Sequence, residues 1–259
     1  MTTMQGRRVL ITGASAGIGA ACAHRFAAQG AELILWARRE ERLAEQADAL
    51  EAQYGCRVHA KVVDVRDRDA VIDAVAALEE ADAGPDILVN NAGLAAGFDL
   101  VQDGDPDDWD RMIDTNIKGL LYVTRAVLPG MIARGRGHII NIGSLAGHAT
   151  YPRGNVYSAT KFAVRALTEG INMDVLGTPV RVSSISPGLV ETEFSVVRFH
   201  GDEARAKQVY QGFQPLTGDD VAECVLFVAN APAYMNILDM VIMPTAQRSV
   251  HAVDRGAAK

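Results

Sequence analysis

Aromatic side chains are scarce in this chain of 259 residues: Phe, Trp and Tyr together make up 6% of it. A core built from interlocking rings, as in an aromatic-rich β-sandwich, is therefore disfavoured. Abundant Gly and Ala instead suit helices packed closely on a sheet. Cysteine is nearly absent. Cys22, Cys56 and Cys224 are odd in number, far apart and outside any CxxC or Cys/His spacing, so nothing indicates a disulfide framework or a metal site. Excess positive charge is also missing, because 25 Lys and Arg face 32 Asp and Glu for a net charge of −7. That balance argues against a nucleic-acid partner. No apolar run approaches the roughly 18 residues of a membrane span. From Met1 the chain passes through a few polar residues directly into Val9-Leu10-Ile11, without the longer apolar stretch of a secretory leader. These absences lead us to expect a soluble, cytoplasmic protein with neither a membrane nor a nucleic acid as partner.

What is present is an alternation. With 49% hydrophobic residues the chain can bury a substantial core, and its length suits one α/β domain of about 250 residues. Short β-branched runs at 8–12, 32–36, 57–63, 87–90, 138–142, 181–186 and 237–242 read as strands. Most are apolar throughout, as strands covered on both faces are. Helical patterns fall between them at 17–29, 40–54, 67–81, 106–133, 156–176 and 218–230, with Asp67 and Pro106 as first-turn residues. The expected fold is a single-domain, Rossmann-like, doubly wound parallel sheet of about seven strands. It covers residues 1–250, and a polar, flexible tail follows at 251–259.

The first strand runs into Thr12-Gly13-Ala14-Ser15-Ala16-Gly17-Ile18-Gly19 and an Ala-rich helix. Gly13 can take a turn conformation closed to other residues, Gly17 lets backbone approach a pyrophosphate, and Gly19 lets helix pack on strand. Amides at the helix start, around Ser15 and Ile18, then face the phosphates. The spacing is GxxxGxG rather than GxGxxG, and a tight βα turn that merely needs small residues would look the same. The second strand ends Leu35-Trp36-Ala37-Arg38-Arg39, with no acid before Glu40 to accept from a ribose 2′-hydroxyl. Arg38 with Arg39 instead offers forked, charge-assisted bonds to a 2′-phosphate, so the expected cofactor is NADP(H) rather than NAD.

Asn90-Asn91-Ala92-Gly93 follows the fourth strand, and Ser144 follows the fifth. Tyr157-Ser158-Ala159-Thr160-Lys161 opens the next long helix, with Tyr157 and Lys161 on one face. A tyrosine hydroxyl normally titrates near 10, and a neighbouring ammonium group favours the phenolate. Lys161 is expected to draw Tyr157 down in this way, while Ser144, at the carboxyl end of a strand, hydrogen-bonds the substrate oxygen.

Together with Asp64-Val65, Asn116 and Pro187-Gly188, these motifs occur in order and at the separations of the short-chain dehydrogenases/reductases, which the whole chain resembles. The resemblance implies roles position by position. Asp64 and Val65 line the adenine pocket, and Asn91 borders the cofactor ribose, with Ala92 and Gly93 beside it. Tyr157 is the general acid/base, and Lys161 also binds the nicotinamide ribose. Ser144 orients the reacting oxygen, and Asn116 holds a water that links Lys161 to solvent. After Pro187 and Gly188, Val190 and Thr192 contact the nicotinamide carboxamide. Hydride passes between the nicotinamide and a carbonyl carbon while Tyr157 moves the proton. A homotetramer is also implied, with the helices at 106–133 and 156–176 pairing across subunits.

The later chain resembles one subgroup, the NADP-dependent 3-hydroxy acid dehydrogenases, in Glu193-Phe194-Ser195-Val196-Val197-Arg198-Phe199-His200-Gly201-Asp202, in Gly154-Asn155-Val156-Tyr157 and in Ile242-Met243-Pro244. The implied substrates are small anions: serine, allo-threonine, 3-hydroxypropionate with malonic semialdehyde, or the sulfonate of a sulfoacetaldehyde reductase. Arg153 and Arg198 are the candidate cations for that anion, Arg198 within a mobile lid. A 3-oxoacyl carrier-protein reductase is a further alternative, although Leu238-Asp239-Met240 replaces its usual Asp-Gly-Gly ending. An NADP-binding sensor or scaffold without catalysis is the alternative of another class. His24, His59, His138 and His148 read as isolated surface or strand-end residues, and Trp36 and Trp109 as packing.

Overall fold

The computed structural model describes residues 4–256. β1 (Arg8–Thr12) leads into α1 (Gly17–Ala28), and β2 (Glu32–Ala37) into α2 (Glu40–Tyr54). β3 (Val58–Val62), α3 (Arg68–Glu80) and β4 (Ile87–Asn90) follow. Next come α4 (Pro106–Ile113), α5 (Leu120–Ala133), β5 (Gly137–Ile142), α6 (Asn155–Asp174) and β6 (Val180–Pro187). The chain then forms β7 (Val190–Glu191), α7 (Phe194–Arg198), α8 (Glu203–Gln208), β8 (Leu216–Thr217), α9 (Gly218–Ala229) and β9 (Asp239–Ile242). Among the described residues, seven strands form one sheet in the order β3-β2-β1-β4-β5-β6-β9. Every pairing in it is parallel. This is the single-domain, doubly wound α/β fold expected from the alternation of runs.

Side-chain alternation along the central strands explains the two covering layers. Val9 and Ile11 of β1, with Leu33 and Leu35 of β2, face a core closed by α1, α2 and α9 through Phe26, Leu43, Leu50 and Val225. Leu10, Ile34 and Trp36 point the other way, onto Val71, Val123, Val127 and Met131 of α3 and α5. β3 is the exception to the apolar expectation: its residues are largely exposed, with His59 and Lys61 along it. It is an edge strand, and such charges discourage pairing with another chain.

The strand order reverses between β1 and β4, and open α/β sheets place their ligands at such a point. One side chain stitches it together. The Thr12 hydroxyl accepts from the amides of Asn91 (3.1 Å) and Ala92 (3.0 Å), while Asn91 Nδ2 donates back to the Thr12 carbonyl at 2.9 Å.

The helix expected over 106–133 is instead α4 and α5 joined by a π-helical turn, Asp114–Gly119. Helical periodicity does not distinguish a widened turn, and such turns gather at functional sites. Asp105 caps α4 with Pro106 in its first turn, Asp67 caps α3 from just outside it, and a Thr217/Asp220 capping box starts α9. The last strand begins at Asp239 rather than 237. β7, β8, α7 and α8, of two to six residues each, were not expected. Of the expected tail, residues 251–256 lie back on the body: Val253 bridges to Gln247, and Arg255 donates to the carbonyls of Val209 and Gln211. Residues 257–259 lie outside the described residues.

Candidate active site

A cavity of about 810 Å³ opens at the carboxyl ends of the central strands. Of the site residues expected from sequence, Gly13, Ser15, Gly17, Ile18, Arg38, Arg39, Asp64, Val65, Asn91, Ala92, Gly93, Ser144, Tyr157, Lys161, Pro187, Gly188, Val190, Thr192 and Arg198 line it. Gly19, Asn116 and Arg153 do not.

At one end lies the glycine turn. Gly13 and Gly17 have φ of +65° and +53°, a region that L side chains rarely adopt. A Cβ on Gly19 would stand 2.4 Å from both the Gly13 carbonyl oxygen and Asn91 Nδ2, which accounts for its place behind the cavity wall. No side chain caps the first amides of α1, so they are free for an anion. Arg38 faces the same space and, among the described residues, has no hydrogen-bond or ion-pair partner, its field reaching Asp64. Arg39 is engaged, with Nε 3.2 Å from Ser15 Oγ and Nη1 2.8 Å from Glu193. Burial pushes the Asp64 carboxyl up, but hydrogen bonds from Arg66 and the charges of Arg66 and Arg38 outweigh it and hold the group below its ordinary value. A backbone cradle with no room for Cβ atoms, an uncapped helix start and a free guanidinium beside the β2 end fit a 2′-phosphorylated dinucleotide.

At the other end, α6 presents Tyr157 and Lys161. Gly143 brings the chain past β6 so closely that a Cβ would meet the Ser184 and Ser186 hydroxyls at 2.7 and 2.8 Å. Ser144 then caps a single 3-10 turn by accepting from the Ala146 amide at 3.0 Å and lies beside Tyr157. Lys161 is 7% exposed, donates to the Ile142 carbonyl at 2.9 Å and lies 5.9 Å from the centre of the Tyr157 ring. Asn116 sits behind them, 2% exposed, in the π-helical turn. It donates to the Leu94 carbonyl and to Thr160 Oγ1 and accepts from the Leu94 amide. Gly93 keeps the space between Asn116 and Lys161 open, since a Cβ there would stand 3.2 Å from Asn116 Oδ1 and 3.8 Å from Lys161 Nζ.

The electrostatics correct one expectation: Tyr157 stands above its ordinary value, not below it. Burial pushes the Tyr157 hydroxyl up to about 12, with Tyr151 adding to the rise and Arg198 and Ser144 opposing it. Burial also brings Lys161 down to about 8. A cation that opposes the rise of Tyr157 is Arg198, its guanidinium carbon 4.8 Å from the ring centre. Arg198 lies among Phe98, Tyr151, Tyr157 and Phe194, with Nη2 donating to the Tyr151 hydroxyl at 2.7 Å. Its Nε is buried without a partner.

Sequence reasoning missed this aromatic wall, although the scarce rings concentrate here: Phe98, Tyr151, Tyr157, Phe194, Phe199 and Tyr210 all line the cavity. Apart from Tyr157, expected on the helix at 156–176, their one signal was clustering in segments without helical or strand periodicity. Arg153, four residues before Tyr157, precedes the first turn of α6 at φ +65°. It is exposed and borders a separate cavity of about 20 Å³ with Asp105 and Asp108. Among the described residues no cluster of His, Cys, Asp and Glu could hold a metal ion. His24 packs edge-on against Tyr54, His59 pairs with Glu32, and His148 lies 3.2 Å from Asp239. His138 is buried against Ser183, and burial holds it neutral, down to about 3.

Comparison with known proteins agrees with this geometry. Residues 7–202 match the family model described as short chain dehydrogenase. The NADP-dependent 3-hydroxy acid dehydrogenase YdfG of Escherichia coli (strain K12) is 49% identical over 240 residues, 92% of this chain and 95% of that one. Sulfoacetaldehyde reductase 2 of Chromohalobacter salexigens is 49% identical over 249 residues, 95% and 98% of the two chains. Among solved structures, the closed form of a serine dehydrogenase complexed with NADP+ superposes with a TM-score of 0.89 at 48% identity, covering 93% of this chain and 96% of that one. The family model spans most of the chain and the relatives nearly all of it: the chain belongs to the short-chain dehydrogenase family.

Proposed function

We propose that the protein is an NADP-dependent oxidoreductase acting between a small 3-hydroxy acid and its 3-oxo form, of the serine, allo-threonine or 3-hydroxypropionate type. The observation that carries the reading is the partnerless guanidinium Nε of Arg198, buried beside Tyr157 at the end of the cavity away from the glycine turn. A carboxylate bound there sits within reach of the tyrosine hydroxyl. A sulfonate offers the same guanidinium a similar anion, so sulfoacetaldehyde reduction is the second reading, supported by the relative of that name.

The amides at the start of α1 hold the pyrophosphate, Arg38 and Arg39 the 2′-phosphate, and Asp64 and Val65 the adenine. Asn91, Ala92 and Gly93 border a ribose, Tyr157 and Lys161 bind the nicotinamide ribose, and the segment Pro187 to Thr192 meets the carboxamide. When bound, the cofactor supplies or accepts the hydride. Tyr157 gives the proton to the substrate oxygen in reduction and takes it in oxidation, and Ser144 fixes that oxygen beside it. Asn116 orders the space behind Lys161 through which protons are replaced. The aromatic wall excludes water, which strengthens every charge interaction inside.

The assembly is a homotetramer in this proposal. Phe162, Met173 and Leu176 on and after α6, and Phe227, Tyr234 and Leu238 around α9 and β9, are exposed apolar side chains that subunit contacts would cover. Among the described residues no helix is long and apolar enough to cross a membrane. We place the protein in the cytoplasm, where its free cysteines remain reduced. NADP+ reduction should be assayed against L-serine, allo-threonine, 3-hydroxypropionate, 3-hydroxyisobutyrate and 2-hydroxyethanesulfonate. Turnover with a 3-hydroxy acid supports the first reading and turnover with the sulfonate alone the second. Cofactor binding without turnover across the panel points to a sensor or scaffold.

A further inference from the structure

Glu193 belongs to the substrate loop, immediately before α7, yet it is held from the opposite wall of the cavity. Arg39 Nη1 lies 2.8 Å from one of its oxygens and Arg42 Nη1 2.7 Å from the other, so each oxygen has its own guanidinium. Both arginines come from the start of α2, beside the free Arg38. Hydrogen bonds from Arg39 and Arg42 hold the Glu193 carboxyl below its ordinary range, so it is an anion at neutral pH. Next to it, Thr192 lies over the glycine turn, its methyl 3.4 Å from where a Gly17 Cβ would stand. Arg39 also reaches Ser15 of that turn. Glu193 and Thr192 thus strap the substrate loop across the phosphate end of the cleft. The strap continues to the substrate end, because the Val197 amide donates to the Glu193 carbonyl at 3.0 Å and Arg198 is the last residue of the same short helix.

A carboxylate resting on two arginines where a phosphate is to be recognised occupies the same donors as the phosphate. We propose that Glu193 is a cofactor-specificity residue: its carboxylate is an internal stand-in for the 2′-phosphate, displaced from Arg39 when a 2′-phosphorylated adenosine binds. A ligand without that phosphate leaves the clasp as it is, whereas one that carries it competes with Glu193 for Arg39 while Arg42 keeps its hold on the other carboxylate oxygen. The contact therefore lowers affinity for the phosphorylated ligand and not for the unphosphorylated one. This inference rests on the NADP reading above.

The test uses the full-length protein and two ligands that differ only in the 2′-phosphate, adenosine 2′,5′-bisphosphate and adenosine 5′-monophosphate. Calorimetry gives their Kd values. Glu193→Gln removes the charge from a half-exposed side chain, so folding is not at stake. Its expected effect is about two- to fivefold tighter bisphosphate binding, the scale of an exposed ion pair, with monophosphate binding unchanged. A variant that binds the bisphosphate no more tightly than the wild type, while both still prefer it to the monophosphate, overturns the clasp alone. A wild type with no preference for the bisphosphate overturns the NADP reading and the clasp with it.

Discussion

The guanidinium carbon of Arg198 lies 4.8 Å from the centre of the Tyr157 ring, so the cation proposed for the substrate anion is also a cation that acts on the general acid/base. Binding and proton transfer share one side chain. Replacing it should disturb both.

Arg198→Ala should raise KM for a 3-hydroxy acid by about 10- to 100-fold, the loss of one hydrogen bond to a charged group. An alcohol without the anion should be affected far less. Steady-state kinetics on matched charged and neutral substrates check this, and equal effects on the two would remove Arg198 from substrate recognition.

The pH profile supplies a second reading of the same contact. Burial pushes the Tyr157 hydroxyl up to about 12, and Arg198 opposes that rise. A cation favours the phenolate, so its loss raises the tyrosine further. Oxidation needs the phenolate as base, and the limb of kcat/KM for oxidation that rises with pH should therefore move to higher pH in Arg198→Met. A profile that stays in place, or moves to lower pH, contradicts the assignment.

Gly19→Ala tests the cradle. Its Cβ would stand 2.4 Å from the Gly13 carbonyl oxygen, and backbone there cannot yield cheaply. A loss of about 1–3 kcal/mol in stability is expected, as for an overpacked core, together with weaker NADP+ binding. Urea denaturation and calorimetry measure the two, and a variant equal to the wild type in both would show that the turn is not tight.

His138 gives a prediction away from the cleft. Burial lowers it from 6.5 to about 3, so the unfolded chain binds a proton that the folded one refuses between these values. Its contribution to stability is complete above the unfolded value and is lost as pH falls through that window, at up to about 1.4 kcal/mol per pH unit. Denaturation at several pH values should show a shallower acid loss for His138→Gln than for the wild type. Parallel curves would mean that His138 titrates normally.

How far the sequence was legible follows from the same residues. β1, β2 and β4 were clear because strands buried on both faces are apolar throughout, and Gly13, Gly17 and Gly19 because only small residues survive where backbone crowds backbone. The turn around Asn116 was read as plain helix, since its distinction is a hydrogen-bonding pattern that periodicity does not carry. α7 and α8 are too short to show a period. Arg153 and Arg198 looked alike as loop arginines. A positive φ leaves one exposed, while four rings hold the other beside Tyr157, and neither fact has a local signal. The direction of the Tyr157 shift was misjudged because residue spacing reveals proximity but not desolvation, the largest cause at both Tyr157 and Lys161.

The central claim is that Tyr157 moves the proton and leaves cofactor binding to the rest of the cleft. The direct measurement is kcat with the best 3-hydroxy acid, beside the Kd for NADP+, in Tyr157→Phe. The account predicts a fall in kcat of at least about 10²–10⁴-fold, the range of general acid/base catalysis. The Kd should stay within about tenfold, the scale of one hydrogen bond. Turnover close to the wild-type rate would contradict it.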